Sequence, residues 1–375
     1  MRTRCESLCF RRPGMADPSP ADACERDPRA RPGPRRAWLA LLAAALLLAA
    51  APPSRAEKVS GPLKIYVLNV GQGDAILVVC PHQKTPHYLL IDSGARGYTG
   101  SQEAFRQQLQ KLIPGVQPRL EVLVASHPHE DHIGGVAWVL ENFQVRKFVD
   151  NGQSYTSSFS KIGTLARQQA KSRRLTYIRA GQFPSDRVAD FCPASNVNSE
   201  LLIPKGFGKS KNKNNNSVIL RLTHNKLVFL FTGDAEKEEE KQLLDDTRTA
   251  LRVRHAVFYK VGHHGAETSS TAPLLQQMTP QWAAISAGAK NKAKNKGYRH
   301  PRALTLTALL GVITKDPGQE LRTVDAGESA KGKWTQVQIH KRIYVTAKDD
   351  TLLFVSDGTQ VTRGDAKLIS PVGHN

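Results

Sequence analysis

Six consecutive positions, His127 to His132 (HPHEDH), hold three histidines and two carboxylates. Side chains two apart on an extended segment point to the same side, so His127 and His129 can meet one ion. Asp131 and His132, past a bend, can meet a second. Imidazole and carboxylate are ordinary donors for zinc and related divalent metals. Two such ions, roughly 3.5–4 Å apart, activate a bridging water and clamp a displacement at phosphorus or carbon.

One short loop cannot fill two coordination spheres, so further donors are expected elsewhere. Asp234, in Thr-Gly-Asp after the apolar run Leu227–Phe231, is the natural bridging carboxylate; its competing role is to cap a helix starting near Glu236. His263 and His264 lie between Gly262 and Gly265, where glycine lets the backbone approach closely. One of the pair is expected as ligand or proton donor, with His263 placed in the ligand set, and the other is expected to orient it. Asp131, His263 and His264 form the candidate catalytic set. Asp92, ending an apolar run before Ser93-Gly94, either holds a liganding histidine by an outer hydrogen bond or simply turns the chain. His300 is a further ligand, a phosphate contact or a loop residue. His82, His87, His224, His255 and His340 show no partner pattern.

The elements that must position these groups follow from apolar periodicity. Leu63–Val70 and Ala75–Val79 read as strands joined by the turn Gly71-Gln72-Gly73-Asp74, and His87–Ile91 as a third. Gln102–Leu112 has helical character and stops at Pro114-Gly115. Leu120–Ala125 is a buried strand running into the histidine cluster, followed by a helix over 133–142 and a strand over 147–150. Val218–Leu222 and Leu227–Phe231 form a hairpin about residues 223–226, leading to a charged helix, Glu236–Asp246. Ala256–Val261 and Trp282–Ser286 are further strands, and residues 335–362 read as a small β extension. Strand, ligand loop, helix puts the donors at C-terminal strand ends, where α/β folds bind ligands.

The chain has 375 residues, 40% hydrophobic and 23% charged, which suits a globular protein rather than a disordered one. Its opening differs in kind: an Arg/Pro-rich start, the apolar run Trp38–Ala51, then Ser54-Arg55-Ala56. That is the order of a secretory signal with a cut after Ala56, and the run falls short of the ~20 residues of a membrane span. Export to a periplasmic or extracellular location is the expectation, with a leader over 1–56 and one domain over 57–375, of which 320–375 is the β extension. Only Cys80 and Cys192 follow the leader, and whether they pair is open. The formal net charge is +20, and the first 56 residues hold only 10 of the 53 Lys/Arg, so the basicity belongs to the domain. Lys205, Lys209, Lys211 and Lys213, and then Lys290, Lys292, Lys294, Lys296 and Arg299, are candidates to line a groove for a polyanion. Mobile solvated loops are the plain alternative.

Taken together, the motifs resemble the metallo-β-lactamase-fold hydrolases over residues 63–302, and within them the ComEC-type hydrolase domains of DNA-uptake competence proteins. The carriers are VGQGDA (Val70–Ala75), LIDSG (Leu90–Gly94), HPHEDHIGG, NNNSV (Asn214–Val218), FTGDAE (Phe231–Glu236), KVGHHG (Lys260–Gly265) and ISAG followed by HP. The resemblance implies an α/β fold, the αββα four-layer sandwich, with a metal-dependent site at one edge that takes one or two divalent ions. In the wider family a histidine between the first cluster and the bridging aspartate completes one metal site. Here Asn214-Asn215-Asn216-Ser217 stands in its place, so Asn216, Ser217, another amide or hydroxyl, water or His300 fills the gap, or one ion binds weakly. More oxygen and less nitrogen shifts the preference toward Mn²⁺ as well as Zn²⁺. No multi-helix membrane channel of the kind competence proteins carry is visible. The expected activity is that of an exported metal-dependent phosphodiesterase or nuclease on DNA or another phosphate polymer. A small-molecule ester, lactone or β-lactam hydrolase would use the same ions, and a non-catalytic polyanion binder would need only the basic loops.

Overall fold

The computed structural model describes residues 61–81, 85–96, 100–182, 190–194, 196–292, 294–313, 321–328 and 332–366. The expected leader and His82 lie outside them.

Short runs rich in Val, Ile, Leu and Phe form the strands, because branched and aromatic side chains pack well on a pleated surface. β1 (Leu63–Val67), β2 (Ile76–Val79), β3 (Tyr88–Ile91), β4 (Arg119–Val124), β5 (Gln144–Asp150) and β6 (Thr176–Arg179) run across one sheet. β7 (Val197–Leu202), β8 (Ile219–His224), β9 (Leu227–Phe231), β10 (Ala256–Lys260) and β11 (Trp282–Ile285) run across another. β12 (Arg322–Gly327) and β13 (Trp334–Ile339) pair by themselves. β14 (Ile343–Val345) adds to the β11 edge, and β15 (Leu352–Ser356) pairs with β1 and with β16 (Val361–Gly364).

Alternation along each strand sorts its side chains into layers. Leu63, Ile65 and Val67 of β1 face a core shared by both sheets, with Phe229, Phe258, Trp282 and Phe354. Tyr66, on the opposite face, packs on α1 (Ser101–Leu112), α2 (Glu130–Ile133), α3 (Val136–Asn142) and α4 (Ser160–Lys171) through Phe105, Ile133, Val139 and Ile162. The second sheet buries Leu230, Tyr259 and Ile285 against α5 (Lys237–Asp245), α6 (Ala272–Met278) and α7 (Ala303–Val312). The layers are therefore helix, sheet, sheet, helix. Each fully buried Leu, Phe or Ile contributes about 1.5–3 kcal/mol.

Two differences from the sequence reading matter, and one question it left open is answered. The helix expected over 133–142 is two pieces, because Gly134 donates to the Gly94 carbonyl and a Cβ there would meet it at 2.5 Å. The C-terminal strands are no appendage: β15 lies inside the eight-stranded sheet beside β1, and β14 completes the six-stranded one. Cys80 and Cys192 form a disulfide, Cα atoms 5.5 Å apart, joining positions 112 residues apart. Closing a loop of that length stabilises by about 2–5 kcal/mol.

Candidate metal centre

β3 to β6 are parallel, as are β9, β10, β11 and β14, so several C-terminal strand ends meet at one edge of the sandwich. β4 delivers His127, β3 delivers Asp92, β9 delivers Asp234, and β10 delivers His263 and His264. The ligand atoms of Asp131, His132 and His264 lie within 4.8 Å of one another, as do those of His127, His132 and Asp234. Asp234 is buried and does not cap α5, whose N-cap is Glu236.

Outer hydrogen bonds fix the rings. Asp92 sits 2.7 Å from His132 Nδ1 and accepts from Ser126 N and Oγ, both at 2.7 Å. With its Nδ1 proton donated to Asp92, His132 presents its Nε2 lone pair 3.1 Å from Asp234 Oδ1. His264 likewise gives its Nδ1 proton to the Ser286 carbonyl at 3.0 Å, and its Nε2 lies 3.4 Å from Asp131 and 3.6 Å from Asp234. His132 Nε2, His264 Nε2 and Asp234 Oδ1 are all buried without a hydrogen-bond partner. Buried polar atoms are normally satisfied. Three that converge, two imidazole lone pairs and one carboxylate oxygen, fit a divalent cation.

The electrostatics agree. Burial opposes a charge on His132, yet Asp234 and Asp92 hold its pKa well above the usual value. Burial opposes a charge on His264 too, but Asp234, Asp131 and Asp74 push it up to about 10. Asp234, despite its burial, is held well below the carboxylate range by His132, His264 and His263. The cluster favours positive charge. His127 is the exception: burial and the neighbouring His132 keep it neutral.

The structure corrects the histidine pair. His264, not His263, joins Asp131 and His132. Both adopt left-handed backbone, φ 46° and 54°, which costs roughly 1–2 kcal/mol per residue for a side chain with a Cβ. This double turn aims His264 inward and leaves His263 at the rim, its Nδ1 3.0 Å from Glu236 and its Nε2 3.7 Å from Asp234.

The other half of the site is thinner. His129 Nδ1 meets His127 Nε2 at 3.0 Å, and His127 Nε2 stands 3.7 Å from Asp234. Neither Asn216 nor Ser217 offers a free donor. The Asn216 side chain accepts from Ser210 N and donates to the Ser210 and Asn212 carbonyls. The Ser217 hydroxyl donates to the Asn214 carbonyl and accepts from Asp234 N, so it positions the Asp234 backbone. His300 stacks with His264 (ring centroids 6.1 Å) and with Tyr298 (5.8 Å), on the His264 side.

The sequence reading missed Asp74 and Gln72. Asp74 lies 3.4 Å from His264 Nδ1 and is paired at 2.9 Å with Lys260, which is fully buried. Lys260 shares a strand face with Phe258 and so enters the space between the sheets. That pairing overcomes burial and holds Asp74 well below the carboxylate range. A lysine inside the apolar run Ala256–Val261 is the signal that points to a buried partner. Gly73, at φ 138°, lets this loop press on the cluster: a Cβ would sit 2.4 Å from the Asp131 carbonyl.

The centre opens into a cavity of about 380 Å³ lined by Gln72, His129, Glu130, Asp131, Asn214, Asp234, His263, His264, Lys294, Tyr298 and His300. Of the basic candidates, Lys294 lines it, 3.0 Å from Glu130, and Lys213 is close enough to His129 to lower its pKa. The others are not brought there. Lys205 and Lys209 line a separate hollow with Asp245 and Asp246, Lys290 lies 3.4 Å from Asp325, and Arg299 packs near Gly327 and Gly332. Lys211, Lys292 and Lys296 are exposed and outside the lining.

Residues 68–288 match the Metallo-beta-lactamase superfamily. "ComE operon protein 3" of Bacillus subtilis is 27% identical over 257 residues, 66% of this chain and 30% of that protein. "Recombination protein 2" of Haemophilus influenzae is 27% identical over 281 residues, 72% of this chain and 31% of that one. "Competence protein ComA" of Neisseria gonorrhoeae is 29% identical over 265 residues, 69% of this chain and 31% of that one. The chain thus spans about a third of the length of these relatives. Among the described residues no helix is long and apolar enough to cross a membrane. The four-layer sandwich, the donors at its edge and the match over most of the sandwich agree: the chain belongs to the metallo-β-lactamase superfamily, and these relatives are of the ComEC type.

Proposed function

We propose that the protein is a metal-dependent phosphodiesterase that cleaves nucleic acid or another phosphate polymer outside the cytoplasm. The observation that carries this reading is the cavity itself: converging carboxylate and imidazole donors within it, a lysine and an exposed aromatic lining it. Asp131, His132, His264 and Asp234, with His127 and His129 beside them, would hold a divalent ion, which when bound would supply an activated water and polarise a phosphoryl oxygen. Lys294 draws the polymer's phosphates to the opening. His263, held at Nδ1 by Glu236, is placed to hand a proton to the leaving oxygen from Nε2. Tyr298, 45% exposed, offers a flat face to a base or sugar.

Metal-dependent hydrolysis is supported by the superfamily and by the unsatisfied donors. The nucleic-acid substrate is supported by the basic charge and by relatives whose names speak of competence and recombination. Export is supported by the apolar opening run and by the disulfide, since disulfides persist in oxidising compartments. An ester, lactone or β-lactam hydrolase wants an apolar wall, and this lining has one aromatic, Tyr298, amid polar groups. A mere polyanion binder would have no use for three converging unsatisfied donors. The test is an assay of purified protein, loaded with Mn²⁺ or Zn²⁺, on single-stranded DNA, bis-p-nitrophenyl phosphate and a β-lactam. Phosphodiester cleavage abolished by chelator is expected; turnover of the β-lactam alone would overturn the reading.

A further inference from the structure

The thinner half of the site lacks a donor where the wider family has a histidine. His224, the one histidine in the sequence between His132 and Asp234, packs against Ser356 at 3.0 Å. Asn216 and Ser217 are consumed by their own loop, and His300 stacks on the opposite side. One amide oxygen of this loop is unaccounted for. Asn214 Oδ1 is buried with no hydrogen-bond partner, in a residue only 7% exposed that lines the same cavity as His129 and Asp234.

The direction of that oxygen is set by its neighbours. Asn214 Nδ2 donates to Glu236 Oε1 at 3.0 Å, and Glu236 also takes protons from Asn212 Nδ2 at 2.8 Å and Thr268 Oγ1 at 3.1 Å. A carboxylate so surrounded by donors must face the amide nitrogen, which fixes the amide's orientation and turns the oxygen away from Glu236. The backbone is pinned as well: Asn214 N donates to Asn212 Oδ1, and its carbonyl accepts from Ser217 N and Oγ. An amide oxygen that is rigid, buried and unsatisfied beside a cluster of metal donors lacks only a cation.

We propose that Asn214 Oδ1 is a metal ligand on the His127–His129 side, replacing a nitrogen donor with an oxygen and biasing that position toward Mn²⁺ over Zn²⁺. The assignment rests on the metal-centre reading above. A hard amide oxygen suits Mn²⁺, whereas a third imidazole suits Zn²⁺. The same Glu236 carboxylate that orients Asn214 also holds His263, so ligand and rim histidine are positioned by one group.

The test is calorimetric titration of metal-stripped protein with Mn²⁺ and, separately, Zn²⁺, with bound metal counted by mass spectrometry and folding checked by circular dichroism. Wild type is expected to show two classes of site. Asn214→Ala weakens Mn²⁺ at the weaker class by at least about tenfold and leaves the tighter class unchanged. Asn214→His, which restores the nitrogen, tightens Zn²⁺ there and reverses the preference. Variants that bind both ions as wild type does would overturn the assignment alone, as would an equal loss of both ions at both classes. A wild-type protein that takes up neither ion would overturn the metal-centre reading and the assignment together.

Discussion

The two halves of this site are built from the same strand ends but to different standards. On one side His264 and His132 are buried, each has its Nδ1 anchored, and their Nε2 atoms face Asp131 and Asp234 at 3.1–3.6 Å. On the other, His127 and His129 touch each other at 3.0 Å, and His127 Nε2 stands 3.7 Å from Asp234. Outer-shell anchoring fixes tautomer and ring direction before any ion arrives. The anchored half is therefore expected to hold an ion more tightly than the other.

Asp234 is the group the halves share, 3.1 Å from His132, 3.6 Å from His264 and 3.7 Å from His127. Asp234→Asn is expected to erase the distinction, with loss of bound metal from both classes. Phosphodiester turnover should fall by about a thousandfold, equivalent to about 4 kcal/mol of barrier. Retention of one tight equivalent in the variant would show that the tight half does not need the shared carboxylate.

Asp92→Asn attacks the anchored half most directly. The carboxylate takes the His132 Nδ1 proton and two bonds from Ser126, and its backbone sits at φ 59°, a conformation asparagine tolerates. An amide cannot accept all three and presents a competing N–H. Metal affinity of the tighter class should drop about 10–100-fold, with the weaker class little changed. Equal weakening of both classes, read in the same titration, would mean that the anchoring difference does not set the difference in affinity.

The contrast also marks where sequence was readable. The histidine cluster that feeds both halves lies in one contiguous motif, so spacing alone named His127 to His132, and strand-end logic supplied Asp92, Asp234 and the pair at 263–264. Which of that pair turns inward was not legible, because two successive left-handed residues decide it and a histidine carries no marker for that conformation. Asn214 was hidden for a related reason. An asparagine run reads as a turn, and only the partners around it show that Asn215 and Asn216 are spent while one oxygen of Asn214 is not. The sandwich was legible through its alternating strands, but the insertion of β15 beside β1 depends on register between distant segments that periodicity does not record. The basic runs were legible only in part: charge can be read in sequence but direction cannot, and of nine candidates only Lys294 lines the cavity.

The smallest effect belongs to the opening. Tyr298 stacks on His300, which stacks on His264, so the exposed ring continues a ladder rising from the anchored half. If a base or sugar of the substrate rests there, Tyr298→Ala should cost about 1–3 kcal/mol of binding, roughly tenfold in KM for single-stranded DNA, with kcat nearly unchanged. Tyr298→Phe should keep most of it, since the face and not the hydroxyl does the stacking. An abasic oligonucleotide supplies the control: wild type should bind it about as weakly as Tyr298→Ala binds ordinary DNA. If the alanine variant instead loses kcat and metal while its KM is unchanged, the ladder is a brace for His264 rather than a platform for substrate. The anchored half would then owe part of its order to a residue at the surface.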